Sequence, residues 1–172
     1  HALALKRDGT VWAWGFGMNF FLRPDGTYSD GLTADRIPEL SDIVAIESGL
    51  GHALALKRDG TVWAWGNNSR GELGRGVADV DGRVPQAVPG LANVVAIAAG
   101  LSQSFAVRAD GTLWGWGANA DCETCPSLLG DGGRRPIRAE EAGARHPGGR
   151  EDVLRDVVLV ALAGDTGDDL AE

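Results

Sequence analysis

Short apolar runs alternate with turn signals along the first two thirds of the chain. Residues 2–5 are apolar, Asp-Gly follows at residues 8–9, and residues 10–14 read Thr-Val-Trp-Ala-Trp. Two such runs on either side of Asp-Gly are typical of a β-hairpin, because the glycine supplies the positive φ that a tight turn requires. The pattern therefore predicts a hairpin near the start of the chain.

The hairpin pattern recurs at a fixed spacing. Residues 1–15 are repeated without change at residues 52–66, and a third copy with the same spacing occupies residues 103–117. All six tryptophans of the chain belong to a Trp-x-Trp-Gly signature that closes each copy. The predicted structural signature comprises Trp12, Trp14, Gly15, Trp63, Trp65, Gly66, Trp114, Trp116 and Gly117, with Asp8, Asp59 and Asp110 at the turns.

A second repeated element lies between the hairpins. Residues 42–49 and 93–100 are rich in Val, Ile and Ala, and residues 156–164 form a looser copy. Each run has the length and the β-branched content of a strand, and residues 83–88 are a weaker candidate for a fourth strand. Repeats of this length with four short strands are typical of β-propeller blades.

The repeat predicts an all-β chain, a partial β-propeller of about three four-stranded antiparallel blades within one domain, residues 1–172. The expected blades are residues 1–41 without a first strand, 42–92, 93–155 with an insertion at 118–150, and 156–172 as the start of a further blade. Side chains alternate faces along a strand. Each sheet is therefore expected to have one bulky and one shallow apolar face, and the bulky face of one unit to pack on the shallow face of the next.

The second unit reads DGTVWAWG at residues 59–66 and NNSRGELG at residues 67–74, and VVAIAAG follows at residues 94–100. These motifs resemble the repeat family named after the regulator of chromosome condensation. It weakens at residues 16–22, which replace the polar turn, and at residues 168–169, where two aspartates stand in place of His-Ser. The resemblance implies a seven-bladed propeller in the full family.

Seven such units would need about twice the present 172 residues. The chain is therefore expected to be part of a longer protein, or to complete itself by self-association of its open blade ends. A stable monomer in dilute solution that does not associate would count against this packing scheme.

Charge and composition restrict the partners. The net charge is −8, with 16 basic and 24 acidic residues, and no basic cluster is present to neutralise a phosphate backbone. No apolar stretch is long enough for a membrane span. The expected partner is another protein, with no direct nucleic-acid binding and no membrane span, while the sequence leaves the cellular compartment open.

Candidate catalytic and metal-binding groups are sparse, so the chain is predicted to be no enzyme, with no catalytic, cofactor or metal site. His1 and His52 are repeat-equivalent, but Gln103 replaces them in the third copy, which favours a structural hydrogen bond over a metal ring. Residues 79–82 hold half of a calcium loop or a solvated turn. Cys122 and Cys125 are either a local disulfide or two free thiols, since two thiols are too few for zinc.

The connection in the first unit is the best candidate for binding. Four large apolar residues stand where the second unit has Asn67, Ser69, Gly71 and Glu72. Aromatic and methionine side chains on a loop are typical interface anchors, although a loop folded back over the blade rim would use them equally well. These candidate protein-binding residues are Phe16, Met18, Phe20 and Phe21.

The leading hypothesis is a non-catalytic protein-interaction module that binds through its variable connections, chiefly residues 16–40 and 118–150, because recognition is usually placed on loops of a rigid scaffold. The resemblance implies two alternatives. One is a guanine nucleotide exchange factor for a small GTPase, as the founding member is for Ran. The other is a proteinaceous enzyme inhibitor of the β-lactamase-inhibitor type, which trial inhibition of such an enzyme would test.

Overall fold

The described part of the chain is built from short β-strands. The computed structural model describes residues 2–15, 32–75, 82–118 and 135–137. The strands are β1 Ala2–Leu5, β2 Val11–Trp14, β3 Asp35–Arg36, β4 Ile43–Ser48, β5 His52–Lys57, β6 Val62–Gly66, β7 Gln86–Ala87, β8 Val94–Ala99, β9 Gln103–Arg108, β10 Leu113–Gly117 and β11 Arg135–Ile137.

These strands form three antiparallel sheets, one for each repeat. The first has the order β1-β2-β3, the second β4-β5-β6-β7 and the third β8-β9-β10-β11. Each strand pairs with its neighbour in the sequence, as in a propeller blade. The fourth strand is short, at two residues in β7 and three in β11. The predicted all-β partial propeller is confirmed.

The Asp-Gly turns have the conformation that the sequence predicts. Gly9, Gly60 and Gly111 have φ of 77°, 80° and 80°. In the second turn, Asp59 Oδ1 accepts hydrogen bonds from Thr61 N at 2.9 Å and Thr61 Oγ1 at 2.6 Å. The bond from the threonine hydroxyl, followed by the one from its backbone, lowers the pKa of the Asp59 carboxyl.

The first strands of the second and third sheets begin with a feature that the sequence pattern does not reveal. Asp42 and Asn93, just before these strands, have φ of 58° and 56°, a left-handed conformation that Asp and Asn tolerate better than most residues. The pairing then shifts by one residue at Val44 and Val95. This bulge leaves both valines exposed, although the run reads as a continuous strand.

Two apolar layers join the three sheets. One contains Val11 of the first sheet together with Trp65 of the second, and the other contains Leu54 of the second together with Trp116 of the third. The tryptophan-bearing face of each later sheet is therefore covered by the sheet before it. This confirms that neighbouring units pack through unlike faces.

The predicted division into a bulky and a shallow face is wrong in detail. Ala53 lies directly opposite Trp65 in the register, and Ala55 lies opposite Trp63. The small residues therefore share the tryptophan face of their own sheet, where they leave room for the indole rings. The face that covers Trp65 carries Val11 and other branched side chains.

Candidate functional site

The two ends of the sheets carry different segments of the chain. We call the end with the Asp-Gly turns, residues 6–10, 57–61 and 108–112, the turn face. The opposite end, where β2, β6 and β10 finish at residues 14, 66 and 117, is the connection face. There Asn67 N donates to Gly51 O at 2.6 Å, and Ala118 N donates to Ser102 O at 2.8 Å. The three variable connections therefore all leave from the connection face.

The paired tryptophans have separate roles. Trp65 and Trp116, the second of each pair, are fully buried between sheets. Trp63, the first of its pair, is partly exposed, and Lys57 Nζ lies 4.6 Å from its ring centroid. Trp14 keeps 38% of its surface exposed, since no described sheet covers its face. Trp14 and Trp65 occupy equivalent positions of the sequence repeat. Their exposure differs because a neighbouring sheet covers Trp65 and no described sheet covers Trp14.

The cations over the first tryptophans recur in all three sheets. Lys6 Nζ lies 4.8 Å from the Trp12 ring centroid, and Arg108 Cζ lies 4.5 Å from that of Trp114. Contacts of this kind contribute about 0.5 to 1 kcal/mol at exposed sites. The basic residue before each Asp-Gly turn therefore stabilises its own hairpin.

Residues 67–74, the first half of the second connection, join the second sheet to the third, and we call them the latch. The Glu72 carbonyl accepts a hydrogen bond from Trp116 Nε1 at 2.7 Å and another from Ser104 Oγ at 2.8 Å. Asn68 Oδ1 accepts from Leu73 N at 2.9 Å and so fixes the turn, and the Leu73 side chain is buried in the core. This stretch holds blades together and is not free to bind a partner.

His52 and Ser104 are hydrogen-bonded but are not arranged for nucleophilic catalysis. His52 Nε2 lies 2.9 Å from Ser104 Oγ, and both residues are fully buried. Burial lowers the pKa of His52 to about 4, against a smaller opposing effect of the Gln103 backbone, so the ring is neutral at pH 7. Since the Ser104 hydroxyl donates to the Glu72 carbonyl, Nε2 carries the hydrogen and donates to Oγ. The histidine therefore cannot take the serine proton, and the hydrogen bond predicted for His52 is structural.

Acid is expected to destabilise the fold through His52. Its folded-state pKa of about 4 lies below the ordinary value of 6.5, so the unfolded chain takes up the proton first and stability falls as the pH drops through that interval. Between pH 7 and pH 5 the loss is about 2 kcal/mol. Urea unfolding at both pH values measures it. His52→Gln should show a much smaller difference, whereas an equal difference in the variant would assign the effect to other groups.

The other predicted site residues stay predictions. Phe16, Met18, Phe20 and Phe21 lie outside the described residues, as do both cysteines and residues 79–81 of the half calcium loop. Within residues 2–15, 32–75 and 82–118, no three His, Cys, Asp or Glu side chains come together as metal ligands. No helix in the described part of the chain is long and apolar enough to cross a membrane.

The repeat geometry coincides with a known family. A model of the regulator of chromosome condensation (RCC1) repeat matches residues 59–107, and a second model of this repeat matches residues 43–72 and 94–121. Residues 43–121 are therefore repeats of the regulator of chromosome condensation family. The matched RCC1 segments contain the second and third hairpins, the latch at residues 67–74 and strand β8.

Relatives and solved structures agree with this assignment. The chain is 38% identical to the human probable E3 ubiquitin-protein ligase HERC6 over 124 residues, which is 70% of the chain and 12% of that protein. Prp20p of Saccharomyces cerevisiae has a TM-score of 0.58 at 32% identity, covering 68% of the chain and 28% of Prp20p. Yeast RCC1 (Prp20) bound to Kap60 has a TM-score of 0.63 at 28% identity, covering 79% and 33%. The chain spans about a third or less of each.

Proposed function

We propose that this RCC1-repeat chain is a non-catalytic module that binds another protein through its connection face. The observation that carries the proposal is that buried polar groups are hydrogen-bonded within the scaffold, whereas the variable segments leave from one of its faces. His52, Ser104 and the Glu72 carbonyl hydrogen-bond to one another or to Trp116 within the scaffold, while the segments that differ between repeats leave from one face. Rigid scaffolds that present variable loops are a common recognition device.

The solved neighbours support a role in protein binding. Prp20p is described with binding properties to Gsp1p and histones, and yeast RCC1 (Prp20) is seen bound to Kap60. These propellers engage other proteins. The same use for the present chain is consistent with its net charge of −8 and its lack of a basic cluster.

A connection exchange tests the proposal. In the chimaera, the connection of the second unit, residues 67–91, replaces residues 16–40. A further copy of residues 67–91 replaces residues 118–150. Immobilised chain and chimaera are exposed to lysate of the source organism, and captured proteins are quantified by mass spectrometry. We expect the chain to capture specific partner proteins and the chimaera to capture at least about tenfold less of each of them. Equal capture by a chimaera with unchanged circular dichroism and Tm would contradict binding through the connections.

Nucleotide exchange is the second candidate, because the likeness to Prp20p includes a protein described with binding to Gsp1p. Release of a fluorescent guanine nucleotide from a purified Ran-type GTPase tests it directly. A module that only binds should leave the release rate unchanged when added at catalytic concentration. An increase of about tenfold or more would favour the exchange-factor alternative over the non-catalytic module.

A further inference from the structure

Two leucines on the connection face are exposed at equivalent positions of the repeat. Leu50 is 72% exposed and Leu101 is 71% exposed. Each follows the first strand of its sheet, and the two loops touch, since Leu50 N donates to Leu101 O at 3.2 Å. We call Leu50 and Leu101 the leucine pair. The pair is a small apolar patch carried by the repeated framework and not by the variable connections.

The fold gains little from these two side chains. Their loops are closed by backbone hydrogen bonds of 2.9 Å, from Gly49 N to His52 O and from Gly100 N to Gln103 O. A single exposed leucine needs no explanation. Two that recur at matching positions and lie side by side form a patch of the kind that marks interaction sites.

A carboxyl group lies on β4, the strand that leads to Leu50. Glu47 lies three residues before Leu50 on β4, an edge strand that lies beside the edge strand β8 of the third sheet. The Glu47 side chain is half-buried, and burial raises the pKa of its carboxyl. No cation among the described residues pairs with it. A basic group from outside would remove this cost of desolvating a charge.

The turn face has a different character. There Lys57, Arg58 and Asp59 bring two basic side chains and one acidic side chain into one turn; the first turn has the same three residue types, and the third has Arg108 and Asp110. The turn residues on that face therefore carry no excess of negative charge. Near the connection face, β4 carries the Glu47 carboxyl, which has no cation partner among the described residues, in a chain whose net charge is −8.

We propose that the leucine pair and Glu47 form the centre of a docking site for a protein segment in which an aliphatic residue adjoins a lysine or arginine. The aliphatic side chain covers Leu50 and Leu101, and the cation pairs with Glu47. A second copy of this chain fits less well, because it would bring two chains of net charge −8 together with their Glu47 carboxylates. This inference rests on the proposed binding role of the connection face and names the chemistry of its partner.

The test measures peptide binding by fluorescence polarisation with the full 172-residue chain. The probe is a fluorescein-labelled peptide of alternating leucine and arginine, and the matched probe has serine in place of leucine at equal charge. Leu50→Ser/Leu101→Ser removes the patch without changing charge. Val44→Ser/Val95→Ser is the control, because these valines are also exposed and repeat-equivalent but lie at the other end of the same strands.

We expect the leucine double variant to raise the Kd for the leucine-arginine peptide about tenfold or more, and the valine double variant to change it by less than about twofold. Glu47→Gln should raise it about threefold to fivefold, with a weaker dependence on salt. The serine-arginine peptide should bind both double variants and the parent chain equally.

An unchanged Kd in Leu50→Ser/Leu101→Ser with unchanged Tm would overturn the assignment of this site. The connection exchange would still test the wider binding role, so the two failures are distinguishable. Sedimentation velocity supplies the remaining outcome. A dimer of the parent chain that the leucine double variant abolishes would make a second copy the occupant and would overturn the basic segment.

Discussion

Replacing Trp116 with alanine is expected to lower the free energy of unfolding by about 3 to 5 kcal/mol, the usual cost of truncating a fully buried aromatic side chain. The indole is buried between the second and third sheets, and the change also removes the Nε1 hydrogen bond to the Glu72 carbonyl. For a chain of this length the loss corresponds to a fall in Tm of roughly 6 to 20 °C. Urea and thermal unfolding measure both quantities.

Trp114→Ala is the matched control, since Trp114 is the first tryptophan of the same pair and remains partly exposed beside Arg108. It should cost less than half as much as Trp116→Ala. Trp116→Phe separates the hydrogen bond from the packing and should cost about 1 to 2 kcal/mol. Equal losses for the two alanine variants would contradict the separate roles of the paired tryptophans.

The second large effect is expected at Gly66, where Gly66→Ala should lower the free energy of unfolding by about 2 to 4 kcal/mol. The residue has φ of 105°, and an added Cβ would lie 2.5 Å from Gly51 O and 2.8 Å from His52 Cα. Both neighbours are backbone atoms of the paired strand and its loop. The alanine therefore strains its own backbone and also forces β5 away from β6.

Gly111→Ala is the control for this prediction. Gly111 has φ of 80°, and nothing lies within 4 Å of its added Cβ, so only the left-handed conformation is penalised, at about 1 to 2 kcal/mol. The difference between the two variants in urea unfolding measures the close approach at the end of β6. A Gly111→Ala variant that is as destabilised as Gly66→Ala would show that backbone strain alone explains both.

The strands and hairpins could be predicted because local sequence determines them. Thr-Val-Trp-Ala-Trp after Asp-Gly favours a hairpin wherever it occurs, and an exact copy of residues 1–15 at residues 52–66 must prefer the same local structure. The repeat also predicted that each unit forms one sheet and that consecutive sheets follow one another along the chain. The bulges at Val44 and Val95 were missed, because a bulge changes the pairing without interrupting the apolar run.

The latch between the sheets was harder to predict. The acceptor is the Glu72 backbone carbonyl. Every residue type carries such a carbonyl, so the sequence does not indicate which one accepts these hydrogen bonds. A weak signal did exist, because Ser104 stands where the earlier copies have Ala2 and Ala53. A polar residue at an apolar position of a repeat indicates a buried hydrogen bond. The leucine pair was equally hidden, since exposure depends on where the two loops lie in the assembled sheets.

The central claim, that successive sheets pack face to face and bury the second tryptophan of each pair, is tested most directly by fluorine NMR of the 5-fluorotryptophan-labelled chain. Resonances assigned with single Trp→Phe variants are compared in H₂O and D₂O. Trp65 and Trp116 should show almost no solvent-isotope shift, while Trp14, 38% exposed, should show a clear one. Equal shifts at Trp14, Trp65 and Trp116 would contradict the packing of the blades.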